Sequence, residues 1–292
     1  MKECVLYKKL KENKVRCLAC AHKCIINKEK SGICGVRKNI HGKLLLLVYG
    51  KIIAEHIDPI EKKPLYHFLP GTRAYSIGTI GCNLKCIWCQ NSEISQAGKM
   101  KDARIIGNER SPGEIVKYAL KNDCKSIAYT YNEPAISVEF VYDCAKLAKE
   151  NGLKNVLVTN GYLSKESFDY LNKEKLIDAM NIDLKSFNEK TYQSFCGGNL
   201  QPVLDLIKLS FKNKIHIEIT TLIIPSINDN KKELEKIARF IASVSKDIPW
   251  HISRFFPNYK MLDRKITPLE TLEKAKEIGL KVGLKYVYLG NV

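Results

Sequence analysis

The 292-residue chain holds only two tryptophans, four methionines and ten prolines, and its acidic residues are outnumbered, 31 Asp and Glu against 48 Lys and Arg. It has no run of about 18 or more uncharged apolar residues, which excludes an ordinary membrane-spanning helix. The longest apolar stretch, 44–49, is strand-sized. The first residues, Met1-Lys-Glu-Cys, lack the apolar segment of a secretory signal, so a cytoplasmic setting is expected. The formal net charge of +17 comes mostly from scattered lysines rather than from a basic stripe, which weakens a nucleic-acid reading without excluding it.

Cysteine is abundant, at eleven residues. In a reducing compartment, clustered cysteines read as metal ligands rather than disulfides. Seven of them form two sets, Cys17/Cys20/Cys24/Cys34 and Cys82/Cys86/Cys89; Cys4, Cys124, Cys144 and Cys196 stand apart.

Residues 1–70 carry turn signals, a hairpin expected over 43–53, and prolines at 59, 64 and 70 that break regular structure. A small cysteine-rich, metal-binding N-terminal module over 1–70 is expected, followed by a catalytic domain over 71–292. From residue 74 strands and helices alternate. Strands are expected at 74–80, 126–130, 155–159, 179–184, 215–223, 250–255 and 286–289. Helices are expected at 112–122, 135–150, 165–172, 201–211, 228–243 and 268–282. Such alternation gives an α/β fold with a parallel sheet covered by helices. Six strand–helix units are too few for a closed eight-stranded ring, so a partial (β/α)6, TIM-like barrel is expected. Reactive groups then belong at the C-terminal ends of its strands.

The spacing C-x3-C-x2-C over Cys82, Cys86 and Cys89 follows the first barrel strand directly. Three thiolates on one loop can each bind one iron of a cubane 4Fe–4S cluster, leaving the fourth iron open. A structural zinc site normally takes four ligands. The other set, C-x2-C-x3-C-x9-C, supplies four thiolates and completes either a zinc site or an auxiliary iron–sulfur cluster; spacing does not separate the two.

C-x3-C-x-aromatic-C after a first strand resembles the signature of the radical S-adenosylmethionine (SAM) superfamily. The segments 67–82, 91–96, 129–134, 159–161 and 251–255 resemble one branch of it, the AmmeMemoRadiSam-system proteins, relatives of pyruvate formate-lyase activating enzyme. The branch usually continues past the equivalent of Val292 into a further cysteine pair, which is not in this sequence. The resemblance implies reductive cleavage of SAM at the cluster to a 5′-deoxyadenosyl radical, which takes a hydrogen atom from a substrate. It also implies an electron donor of ferredoxin or flavodoxin type, and raises glycyl-radical activation of a protein as the nearest analogy. Radical modification of RNA or of a small metabolite, an iron–sulfur electron carrier without enzymatic activity, and a zinc-ribbon nucleic-acid binder are the competing readings.

The same resemblance assigns candidate SAM contacts. Asn132 and Glu133 match a Gly-Gly-Glu-Pro motif, although Tyr131 and Asn132 replace both glycines; Glu133 is expected to accept from the SAM ammonium or, alternatively, to cap the helix at Pro134. Asp183 and Lys185 match a D-x-K motif, or form a structural ion pair. Thr159 and Asn160, His251, Arg254 and the aromatic Trp88 complete the expected cofactor-binding set, with a satisfied core imidazole as the alternative for His251. Cys196 is read as a buried thiol.

Overall fold

The computed structural model describes residues 1–100 and 104–292. Its centre is an eight-stranded sheet: β1 (Ala54–Pro59), β2 (Arg73–Gly78), β3 (Ser126–Tyr129), β4 (Lys154–Thr159), β5 (Ala179–Asp183), β6 (His216–Ile223), β7 (Trp250–Arg254) and β8 (Val287–Gly290). The spatial order follows the chain from β8 to β1. β2 to β8 run parallel, and β1 pairs antiparallel with β2, so the sheet is an open partial barrel with β1 and β8 at its ends. Helices α1 (Pro112–Lys121), α2 (Val138–Glu150), α3 (Lys165–Asn172), α4 (Gln201–Lys212), α5 (Lys231–Val244) and α6 (Leu269–Val282) make the six crossovers.

Local chemistry explains the element starts. Ser111 and Glu114 form a reciprocal capping box around Pro112, fixing the first turn of α1. Ser164 and Asn230 cap α3 and α5 by accepting from Ser167 and Glu233. The expected helix 135–150 is split: Pro134–Ser137 is a 3-10 turn capped by the Glu133 side chain, and α2 begins only at Val138. The expected helix over 228–243 starts later, at Lys231, because Asn228 instead braces the preceding turn, accepting from the Ile224 N–H at 2.7 Å.

The N-terminal segment forms two small three-stranded sheets. One hairpin joins Arg37–Ile40 to Lys43–Leu46 through His41-Gly42, so the turn lies earlier than the expected 43–53 hairpin places it. Gly42 takes φ +82°, which suits glycine at such a turn. The division expected near residue 70 runs between β1 and β2, which pair from Ala54↔Gly78 to Pro59↔Arg73; β1 is therefore part of the barrel sheet.

Between these two strands the chain folds across the N-terminal end of the barrel. Ile60 and Leu65 pack with Ala74, Ala128, Val156 and Ala179, one residue from each of four barrel strands. Glu218, fully buried, accepts from the backbone N–H groups of Tyr66 and His67, and Asn181 donates to the Pro64 carbonyl. These bonds satisfy backbone groups that would otherwise be buried without partners. They seal one end of the barrel and leave the C-terminal strand ends for the site.

Candidate active site

Cys82, Cys86 and Cys89 lie on the loop that leaves β2 at its C-terminal end. Gly81 begins that loop with φ +94°, and an added Cβ would come within 2.7 Å of the Cys34 carbonyl, so only glycine fits. The Asn132 amide holds the same turn, donating to Gly81 O at 2.8 Å and Thr79 Oγ1 at 3.0 Å. Farther along, Lys85 N–H bonds Cys196 O and Ile87 N–H bonds Phe195 O, where Tyr192–Cys196 forms a π-turn. Such turns recur at functional sites.

The Cys86 thiol sits close enough to both Cys82 and Cys89 to add to the rise in their pKa values. Burial pushes the Cys82 thiol up to about 12, although Lys99 opposes it. Cys86 is raised chiefly by its hydrogen bond with Cys196, then by burial. Thiols this reluctant to ionise become thiolates when a cationic metal centre binds them. Polar groups already surround them: Asn160 Nδ2 lies 3.7 Å from Cys82 Sγ, and Cys89 Sγ shares a 3.2 Å hydrogen bond with Ser95. The charges of Lys99 and Lys185 also reach these sulfurs. Three thiols on one loop with cations and amide donors about them fit a 4Fe–4S cluster.

The expected SAM contacts divide into two groups. Glu133, Thr159 and Asn160 meet: the Glu133 carboxylate accepts from Thr159 Oγ1, from Asn160 N–H at 2.8 Å and from Ala135 N–H at 2.9 Å. Its side chain thereby caps the Pro134–Ser137 turn, and it is fully buried. Burial pushes its carboxyl up to about 7 against the lowering effect of those bonds. Lys185 pairs with Asp183 at 2.7 Å, and its charge reaches both Glu133 and Cys86. Trp88 is buried beside Phe195.

His251 and Arg254 are engaged elsewhere. His251 Nε2 bonds Glu218 at 2.6 Å, and its ring packs on Tyr66 and Tyr288, so it belongs to the sealed end of the barrel. This is the satisfied core imidazole. Arg254 donates to Thr267 O at 2.8 Å and lies over Phe256.

Three residues of the site were not singled out from sequence. Asn83 is fully buried, accepts from Asn160 Nδ2 at 2.8 Å, and its carbonyl bonds His22 at 2.8 Å. Lys99 caps the Leu84 carbonyl at 2.6 Å. Tyr192 OH accepts from the Lys185 N–H. Their positions immediately after a cysteine, after a short helical turn and in a π-turn carry no motif; only the loop's proximity in sequence to Asn83 offered a signal.

Cys17, Cys20, Cys24 and Cys34 line a single cavity, with Ala19, Arg37 and Ile136 among its other walls. All eleven cysteines are free.

A barrel open at one end, with a three-cysteine loop leaving its first parallel strand, defines a class of iron–sulfur radical enzymes. The Radical SAM superfamily model matches residues 76–241, and the chain belongs to that superfamily. It is an enzyme of this class. It is 45% identical, over 100% of its length and 86% of the other, to an uncharacterized protein of Methanocaldococcus jannaschii. It is 25% identical to the pyruvate formate-lyase-activating enzyme of Clostridium pasteurianum, over 70% of this chain and 87% of that one. Among solved structures, a radical SAM methyltransferase from Sphaerobacter thermophilus shares the fold with a TM-score of 0.60 at 15% identity, covering 76% of this chain and 67% of that one. No helix among the described residues is long and apolar enough to cross a membrane.

Proposed function

We propose that this enzyme cleaves SAM reductively at a cluster held by Cys82, Cys86 and Cys89, and abstracts a hydrogen atom from a polypeptide substrate. The observation that carries the reading is the gathering of those three thiols with Asn160, Lys99 and Lys185 at the C-terminal strand ends. When bound, the cluster and SAM supply the one-electron chemistry that yields the 5′-deoxyadenosyl radical. The protein's part is orientation and exclusion of water. Glu133 offers a buried carboxylate for the SAM ammonium, with Asn132, Thr159 and Asn160 arranged about it. Lys185, steadied by Asp183, offers a cation for the SAM carboxylate. Trp88 contributes an apolar wall. His251 and Arg254 act as supports for β6 and β7.

The substrate class follows from the sequence relative that is named for activating pyruvate formate-lyase, a likeness extending over most of both chains. The reductant is of ferredoxin or flavodoxin type, and the free cysteines suit a cytoplasmic, reducing setting. The N-terminal four-cysteine segment is a metal-binding unit.

The test is anaerobic incubation of the iron-loaded enzyme with SAM and dithionite, followed by measurement of 5′-deoxyadenosine. The wild type is expected to form it and a Cys82→Ala/Cys86→Ala/Cys89→Ala variant is not. Formation by that variant refutes the site. Polypeptides carrying α-deuterated glycine are expected to pass label into the product; transfer from small-molecule fractions alone refutes the substrate class.

A further inference from the structure

The segment that follows Cys89 folds back over the loop it leaves. Ser92–Ser95 makes one helical turn and Ala97–Lys99 a 3-10 turn. Gly81 N–H donates to Ile94 O at 2.9 Å, which ties the helical turn to the start of the cysteine loop. Asn91 Nδ2 donates to Tyr131 O at 2.8 Å, which ties its other side to the residue before Asn132.

Three side chains of this segment form one continuous chain of hydrogen bonds. Lys99 Nζ donates to Gln96 Oε1 at 2.9 Å, and Gln96 Nε2 donates to Ser95 Oγ at 2.9 Å. Ser95 Oγ in turn meets Cys89 Sγ at 3.2 Å. The same lysine and glutamine converge on the Leu84 carbonyl, at 2.6 Å from Lys99 Nζ and 3.3 Å from Gln96 Nε2. Leu84 lies between Cys82 and Cys86, so the segment holds the loop near its first two cysteines and touches the sulfur of the third.

The chain has a direction. An ammonium only donates, so Gln96 turns its oxygen to Lys99 and its NH2 to Ser95. Ser95 accepts from that amide and keeps its own proton for the sulfur. This is the polarity that a thiolate needs. Burial raises the Cys89 thiol, and the hydrogen bond from Ser95 opposes the rise, so the serine favours the ionised sulfur. Ser95 is 1% exposed, which leaves little room for water to compete with it. The Lys99 charge also acts directly on Cys82, Cys86 and Cys89. Hydrogen bonds and net charge around the sulfurs set the potential of an iron–sulfur cluster. A reduced cluster carries one more negative charge, so donors and cations favour it.

We propose that Ser95, Gln96 and Lys99 are positioning residues that raise the reduction potential of the catalytic cluster by delivering a lysine-polarised hydrogen bond to Cys89. The inference rests on the catalytic reading above, which puts that cluster on Cys82, Cys86 and Cys89. The cluster takes one electron from its reductant and no proton, and Ser95 keeps its proton in both states.

The experiment uses the full chain, loaded with iron anaerobically. It is titrated with dithionite and mediator dyes without SAM, and the reduced cluster is read by electron paramagnetic resonance. The signal followed is the one that SAM perturbs when added afterwards. At the wild-type midpoint, Ser95→Ala is expected to show an about 10-fold smaller ratio of reduced to oxidised cluster, a fall of about 59 mV for a one-electron couple. Lys99→Met is expected to fall in the same direction. Lys99→Arg keeps the charge and is expected to hold the wild-type midpoint. A wild-type midpoint in Ser95→Ala overturns the proposal, even where iron or thermal stability is lost, because the segment is then only a brace. An equal fall in Lys99→Met and Lys99→Arg also overturns it. If Ser95→Ala does not keep its cluster, the Lys99 pair decides. Failure of the catalytic reading looks different: an iron content that Cys82→Ala/Cys86→Ala/Cys89→Ala does not lower overturns that reading, and this inference with it.

Discussion

The Arg37 guanidinium and the Glu139 carboxylate, each 1% exposed, form an ion pair between the N-terminal hairpin and the first turn of α2. Arg37 Nε also donates to Ile136 O at 2.8 Å, and Glu139 accepts from the Val5 N–H. Arg37 lines the four-cysteine cavity, so one side chain ties the N-terminal segment to the barrel and closes one wall of that cavity. Removing one charge strands the other in a buried site. Glu139→Gln is expected to lower unfolding stability by about 3–5 kcal/mol. The double variant Arg37→Met/Glu139→Leu is expected to recover most of that loss in denaturant titrations, because the desolvation cost goes with both charges. An equal loss in single and double variants counts against the pair being a desolvated unit.

Gly81 is the second mechanical link, where the chain turns at φ +94° under the Cys34 carbonyl. A Cβ there meets backbone, which has little room to yield. Gly81→Ala is expected to cost about 1–3 kcal/mol from its backbone conformation alone. The displaced loop is expected to lose iron from the catalytic centre during gel filtration. A variant with wild-type melting temperature and iron content contradicts the packing described here.

The barrel's strands and crossovers were legible because each is a local pattern: apolar runs for strands covered on both faces, and for helices apolar periodicity with a cap such as Ser111 before Pro112. Cys82, Cys86 and Cys89 were legible for the same reason, with all three ligands on one loop. Long-range pairing was not. Glu139 reads as an ordinary polar position on an amphipathic helix, and its partner lies 102 residues away. Glu218 reads as the solvent face of an alternating strand. In the barrel both faces are covered, and its partners Tyr66 and His67 come from a segment that shows only proline breaks. The placement of His251 failed to show for the same reason, since its partner is Glu218 rather than anything near it in sequence.

Glu218 gives the sealed end of the barrel an acid limit. Burial acts to raise its carboxyl, but hydrogen bonds from His216, His251 and the His67 and Tyr66 N–H groups outweigh it and hold the value at about 2. A depressed carboxylate contributes stability that is complete above its ordinary value of 4.5 and is lost as pH falls toward about 2. The size is about 3 kcal/mol. Stability measured by urea titration between pH 5 and about 3 is expected to fall more steeply in the wild type than in Glu218→Gln. Parallel curves rule out Glu218 as the titrating group.

Glu133 has the opposite sign. Burial raises its carboxyl to about 7, so its contribution is complete below the ordinary carboxylate value and is lost as pH rises through about 7. The loss is about 3 kcal/mol over that window. Glu133→Gln carries no titrating proton, so its stability relative to the wild type is expected to improve as the pH is raised. Binding of SAM reports separately on the proposed role. If the ionised carboxylate holds the ammonium, wild-type affinity rises with pH up to about 7 and then levels off, because SAM must displace the proton. Glu133→Gln is expected to bind SAM with a pH-independent affinity about 10–150-fold weaker than the wild-type plateau, the equivalent of one charge-assisted hydrogen bond. The catalytic cluster's spectrum should be unchanged, since no thiolate is altered. Titration of SAM into the reduced, cluster-loaded enzyme, followed by electron paramagnetic resonance across this pH range, makes the measurement. A pH-dependent stability difference accompanied by unchanged SAM affinity leaves Glu133 as the cap of the Pro134–Ser137 turn and removes it from the cofactor site.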